Sequence, residues 1–204
     1  MARKEITMTY TQKDTKLRTK DLIYAGAFGA IYIVLMLLVV MTCGAIPILY
    51  ILTPLFVGIV CATIYELCVL KVHKFGAALI LGILFAVITS AAYLPGIILA
   101  ILVAFLAELV MMAGHYKSKK MFLLSYVVFN LNMVCPFTNL YFNRDSFMAV
   151  STEYYGEEYA NGVAALASVW LPLIQIALAV AGAIIGLFIA SKLIKKHFEK
   201  AGIV

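Results

Sequence analysis

Six long apolar runs, separated by short polar or turn-forming stretches, make up most of the chain beyond Leu22. A helix needs roughly 20 apolar residues to cross the ~30 Å hydrocarbon core of a bilayer, and these runs have that scale. The first extends from Leu22 to Cys43 and is broken by Gly44 to Pro47. The second extends from Leu49 to Leu70, with Lys71-Val72-His73-Lys74 as a tight turn after it. The third runs from Phe75 to Tyr93, and Leu94-Pro95-Gly96 turns the chain outside. The fourth runs from Ile97 to Ala113 and stops at Gly114, a natural helix terminator. The fifth spans Met121 to Tyr141.

The last apolar stretch, Ala160 to Ser191, is too long for one upright crossing. Counting back about 20 residues from its inner end reaches Pro172, with Ser168 as a helix cap and Trp170 at the outer interface, where Trp is enriched. Residues 157–168 are then predicted as a short helix or lid over the outer face. A single steeply tilted helix is the alternative. The fold class predicted is an all-α membrane protein: six transmembrane helices in residues 21–195, an outer loop at 142–161, an N-terminal segment 1–20 and a tail 196–204.

Charge sets the orientation. Of 16 Lys and Arg residues, all but Arg144 fall between Arg3 and Lys20, at Lys71 and Lys74, from Lys117 to Lys120, or from Lys192 to Lys200. Short loops rich in Lys and Arg stay cytoplasmic, so an even number of spans puts every cluster and both termini inside. The expected location is the bacterial cell membrane, with the first span inserted uncleaved. A composition 65% hydrophobic and 13% charged excludes an ordinary soluble domain. The net charge of +6 belongs to loops facing anionic lipid, not to a nucleic-acid surface. Cys43, Cys61, Cys68 and Cys135 form no C-x-x-C and read as packing residues.

Catalysis finds little support. His73, His115 and His197 all sit in basic clusters, and no H-E-x-x-H, G-x-S-x-G or Walker sequence occurs. No enzyme activity, cofactor or metal is expected. The acids inside spans are Glu66 and Glu108, each close to a cytoplasmic turn. They read either as a coupling site or, the favoured reading, as groups reaching Lys71, Lys74 or Lys117. Polar residues at depth gather in the fifth span as Asn130, Asn132, Thr138 and Asn139. Pro136 has no N–H for the carbonyl of Asn132, which leaves a polar lining there. Asn130 and Asn132 serve equally as interhelical glue or as substrate contacts. Asn139, Arg144, Trp170 and Gln175 complete the candidate substrate-binding set. The loop from Phe142 to Asn161 reads as a substrate gate.

Small residues recur every four positions: Ala25 with Gly29, Gly26 with Ala30, Ala78 with Gly82 and Ala86, and Gly182 with Gly186. Such columns let helix backbones approach closely, within the bundle or against another membrane protein.

The runs Ile46–Pro54, Lys71–Gly76 and Leu106–Lys120 resemble the Trep_Strep family of bacterial integral membrane proteins. That family is similar to the substrate-binding S components of energy-coupling factor (ECF) transporters. The resemblance implies a six-helix protein that captures a small micronutrient at the outer face. Its partners would be a transmembrane T component and two cytoplasmic ATPases. S components carry an A-x-x-x-A pattern in the first helix against the T component. Here Ala25, Gly26, Gly29 and Ala30 stand in that place, with Ala78 and Gly82 as a second candidate column. The competing reading is a stand-alone ion-coupled transporter of a small polar solute.

Overall fold

The structure, a computed structural model, describes residues 17–90 and 93–198. The expectations for residues 1–16, including most of the first basic cluster, for Ala91 and Ala92 in the third span, and for the tail from residue 199 lie outside these. The described chain is helical throughout: α1 (Thr19–Gly44), α2 (Pro47–Ile51), α3 (Thr53–Val72), α4 (Ala77–Thr89), α5 (Leu94–Ala113) and α6 (Lys119–Asn130). A 3-10 segment (Leu131–Phe137) then leads into α7 (Thr138–Phe142), α8 (Arg144–Tyr155), α9 (Glu157–Leu166) and α10 (Leu171–Leu193), with one π-helical turn (Ile194–Phe198) after it.

Among the described residues, five helical stretches are long and apolar enough to cross a membrane: Thr19–Gly44, Thr53–Val72, Leu94–Ala113, Lys119–Phe142 and Leu171–Lys196. The expected third span is the exception. Its helix, α4, has 13 residues, about 20 Å at 1.5 Å per residue, against the ~30 Å of the hydrocarbon core. It begins two residues late, because His73 (φ 49°) and Gly76 (φ 108°) are left-handed and the helix restarts at Ala77, and it ends at Thr89, with Ser90 (φ −124°) already off the helix.

Two further expectations are corrected. The segment expected to be a loop at 142–161 is mostly helix, because α8 and α9 occupy it and break only at Gly156 (φ 88°). Leu94-Pro95-Gly96 does not turn the chain; it opens α5. Proline in a first helical turn loses nothing, since its missing N–H would be unpaired there anyway. Pro47, Pro54 and Pro172 start α2, α3 and α10 in the same way. The long final stretch divides as expected into α9 and α10, so the single tilted helix is excluded. Ser168 contributes to the start of α10 through its carbonyl, which accepts the Leu171 N–H at 3.0 Å, and its side chain caps nothing.

Helix α3 is the hub and packs against α1, α4, α6 and α10, while α5 closes the ring between α4 and α6. Its contact with α10 is backbone to backbone. A Cβ on Gly182 would collide with the Leu55 carbonyl, and one on Gly186 with that of Gly58. The other small-residue columns are also largely consumed inside the chain. Ala25 and Gly29 are buried, with a Cβ on Gly29 meeting Leu84 of α4 at 2.7 Å. Ala78 and Gly82 are buried too, and Gly82 lies against Ala104 of α5. These four are therefore unavailable to an external partner in this conformation. Gly26, with open space beside it, and exposed Ala30 remain outward.

Apolar packing comes in two bodies. The larger joins α1, α3, α4, α5, α6 and the inner part of α10 around Tyr32, Tyr65, Phe85, Tyr126 and Phe129. The smaller unites Ile51, Leu140, Phe147, Val163 and Leu171, and fastens α8 and α9 as a cap over one end of the bundle. Leu38, Leu102, Leu106, Ile184 and Phe188 remain exposed on α1, α5 and α10, as side chains facing lipid should.

Candidate functional site

Between those two apolar bodies lies a layer belonging to neither. Along α10 the buried column runs Leu171, Gln175, Ala179, Ala183, Leu187. Leu171 belongs to the cap cluster, and Ala183 and Leu187 belong to the main core. Gln175 and Ala179 fall between them. On α3 the corresponding position is Thr53 and Pro54, between Ile51 of the cap and Val57 of the core. Asn130, at the end of α6, reaches this layer through its bonds to α3 and α10, whereas Asn132 stands in the 3-10 segment among Phe129, Met133 and Cys135 of the main core.

The amides here fall into two kinds. Asn130 is fully buried, and its Nδ2 donates to the carbonyls of Pro54 (3.1 Å) and Ala179 (2.8 Å). It clamps α6 to α3 and α10, which is the glue expected for this residue, although its Oδ1 has no partner. Asn132 is 1% exposed and Gln175 0%. In both, neither the amide nitrogen nor the oxygen has a hydrogen-bond partner. Such groups are rare in folded proteins, because an unsatisfied buried polar group costs about 1–3 kcal/mol. The polar lining expected at Pro136 is thus made by side chains. The 3-10 pattern runs from each carbonyl to the N–H three residues on, so the Asn132 carbonyl looks to residue 135 and not to Pro136.

The remaining predicted residues stand elsewhere. Asn139 is half-buried, with an unpaired Oδ1. It lines a cleft of about 40 Å³ with Thr89, Ser90, Tyr93, Cys135 and Pro136, room for water and not for a nutrient. Arg144 is exposed at the start of α8, and Trp170 is 66% exposed before α10. Both flank the cap and do not enter the buried layer. Within the cap, Tyr155 and Tyr159 stack across Gly156 with ring centroids 4.6 Å apart. Burial, with Tyr155 close by, pushes the Tyr159 hydroxyl up to about 12. The Tyr50 ring lies 4.8 Å from that of Phe137, where α2 meets the 3-10 segment.

The sequence matches, over residues 19–200, the family described as a hypothetical bacterial integral membrane protein, Trep_Strep. The chain belongs to that family. No curated protein and no solved structure matches it. For this Trep_Strep chain a multi-pass membrane location follows from the family together with the long apolar helices.

The two intramembrane acids separate sharply. Glu108 does not depend on a lysine: its Oε2 accepts the N–H groups of Ala78 (3.0 Å) and Leu79 (3.2 Å), and its Oε1 accepts the Tyr116 hydroxyl (3.1 Å). A carboxylate at a helix N-terminus satisfies donors that have no helical partner and meets the positive end of the helix dipole. Glu108 is thus the cap that lets α4 begin after a left-handed glycine. No local motif announces this, because the acid lies about 30 residues downstream of the helix it caps. Glu66 is 3% exposed, and its Oε1 has no hydrogen-bond partner. The lysine of the turn after α3, Lys74, pairs with Asp21 at 2.6 Å, tying that turn to the start of α1. Sequence reading also missed Tyr65 and Tyr126, which are wholly buried. They bond Ser125 (2.5 Å) and the Gly58 carbonyl (2.8 Å) respectively, deep in the bundle.

Proposed function

We propose that this chain is the membrane-embedded substrate-binding S component of an ECF-type importer, capturing a small micronutrient at the outer face. In this reading α4 completes a sixth crossing, helped by the segments on either side of it, and all basic clusters and both termini face the cytoplasm. A T component and two ATPases supply the energy, since the chain has no Walker sequence. Gly26 and Ala30 on the outward side of α1 offer the close-packing surface for the T component.

The observation that carries the reading is that two buried amides, Asn132 and Gln175, have neither polar atom partnered. Bundle glue holds partners on neighbouring helices, as the Asn130 amide nitrogen does; amides with neither atom paired at membrane depth are what a bound solute completes. The α8–α9 cap closes the route above them, with Gly156 between its two helices. Arg144 and Trp170 mark the rim of that route.

An ion-coupled carrier is the second reading, favoured by buried Glu66, whose Oε1 has no hydrogen-bond partner. Reconstitution in liposomes separates the two. With a T component and ATPases present, uptake of the solute that co-purifies with the chain is expected to require ATP and to fail when the ATPases are omitted. Uptake by the chain alone that follows a proton or sodium gradient and ignores ATP overturns the importer reading.

A further inference from the structure

Helix α4 leaves one of its ends inside the membrane. Its 13 residues reach about 20 Å, and it starts beside the Lys71–Lys74 turn, whose charges belong at a membrane surface. Its other end, Thr89 with Ser90 after it, therefore stops roughly 10 Å short of the opposite side of the hydrocarbon core. The last carbonyls of a helix lack helical donors and carry the negative end of its dipole. Backbone that breaks off at such depth must be buried in protein or line a polar cavity, and a cavity is what lies there.

It is the cleft of about 40 Å³ that Asn139 lines. Thr89, Ser90 and Tyr93 contribute from the end of α4 and the turn after it, and Cys135, Pro136 and Asn139 from the 3-10 segment and α7. What these residues offer is mainly acceptors. The Thr89 hydroxyl donates its proton to the Phe85 carbonyl at 2.9 Å, so only lone pairs remain for another partner. The Ser90 hydroxyl lies 3.5 Å from that of Thr89, on a side chain only 5% exposed. The Oδ1 of Asn139 is buried and has no partner, and Pro136 has no N–H to donate. None of the six lining residues carries a charge. At about 10–15 Å³ for each water-sized sphere, the space takes an ion with a water or two.

We propose that this cleft binds a monovalent alkali cation. Neutral oxygens grouped at a helix C-terminal end are how such ions are held at membrane depth. Calcium and magnesium draw on carboxylate ligands, and none lines the cleft. An anion would face the negative end of α4, and an organic solute does not fit the volume. The site does not depend on the importer reading, because ion binding is measured on this chain alone. In the full chain purified in detergent, choline chloride is exchanged for sodium or potassium chloride at constant ionic strength. Thermal unfolding is followed together with equilibrium dialysis of radiolabelled sodium, or of rubidium as the stand-in for potassium.

Sodium or potassium is expected to raise Tm saturably by a few degrees over choline, with a single ion bound per chain. Asn139→Ala and Thr89→Val should each raise the ion concentration for half the effect about tenfold or more, with Tm in choline unchanged. Asn139→Asp, which keeps an oxygen and adds a counter-charge, should bind the ion at least as tightly as the parent. Thr42→Val removes a hydroxyl bonded in the same way, to the Leu38 carbonyl, but away from the cleft, and should leave the ion effect intact. Equal Tm in sodium, potassium and choline would mean that the cleft holds water only, and overturns the proposal. An ion effect that both Asn139→Ala and Thr89→Val retain in full overturns it as well.

Discussion

At the scale of single residues, the informative contrast is between three amides of similar burial and unlike bonding. Asn130 holds two backbone carbonyls, so Asn130→Leu strands both and should lower stability by about 1–3 kcal/mol, read as a fall in Tm. Asn132 and Gln175 hold nothing in this structure. Replacing either by Leu removes an unsatisfied group, and such changes are neutral to stabilising when the shape is kept. Ligand-free Tm is therefore expected to stay level or rise for Asn132→Leu and Gln175→Leu; a fall comparable to that of Asn130→Leu would make them structural glue after all. The sequence shows all three amides but not this division. Amide partners are backbone carbonyls on α3 and α10, about 76 and 49 residues away in the chain for Asn130, and no local pattern encodes such a meeting.

At the scale of helices, close packing and capping decide what the apolar pattern leaves open. The α3–α10 contact depends on the absence of side chains at Gly182 and Gly186, where a Cβ would meet backbone atoms that cannot swing away. Gly182→Ala is expected to cost about 1–3 kcal/mol through overpacking, measured as a lower Tm and a loss of monodispersity in detergent. Gly26→Ala, with open space around it, should leave Tm unchanged while testing the partner surface. Glu108→Ala removes the acceptor for two N–H groups at the start of α4. It should destabilise the chain by about 1–3 kcal/mol, and Glu108→Gln, which keeps an acceptor, by less. The small-residue spacing was legible in sequence; which columns were internal was not, because helix rotation about its axis is set by every neighbour at once.

For the whole molecule, the distribution of Lys and Arg argues for an orientation that labelling can test. Single cysteines placed at Lys117 and Tyr154, with Cys43 replaced by Ser, should react with a membrane-impermeant thiol reagent from opposite faces of the cell membrane. Position 154 is expected to label in intact cells and position 117 only after permeabilisation. Labelling of both from one side would remove the six-crossing arrangement. The structure leaves that arrangement turning on α4, which is too short to span unaided and packs against α1 and α5.

Apolar length, charge spacing and the prolines and glycines between runs were enough to establish by sequence alone an all-helical, multi-pass membrane protein and the division of the last stretch. Each of these is a local quantity: transfer free energy adds along a segment, and turn chemistry acts within a few residues. Tertiary structure alone decided that Arg144–Tyr155 is also helical and joins the predicted short helix in one cluster, and that the acid capping α4 comes from α5. It also decided which buried amides were satisfied. Hydrogen bonds and close approaches between helices depend on relative depth and rotation, which emerge only when all the faces are buried together.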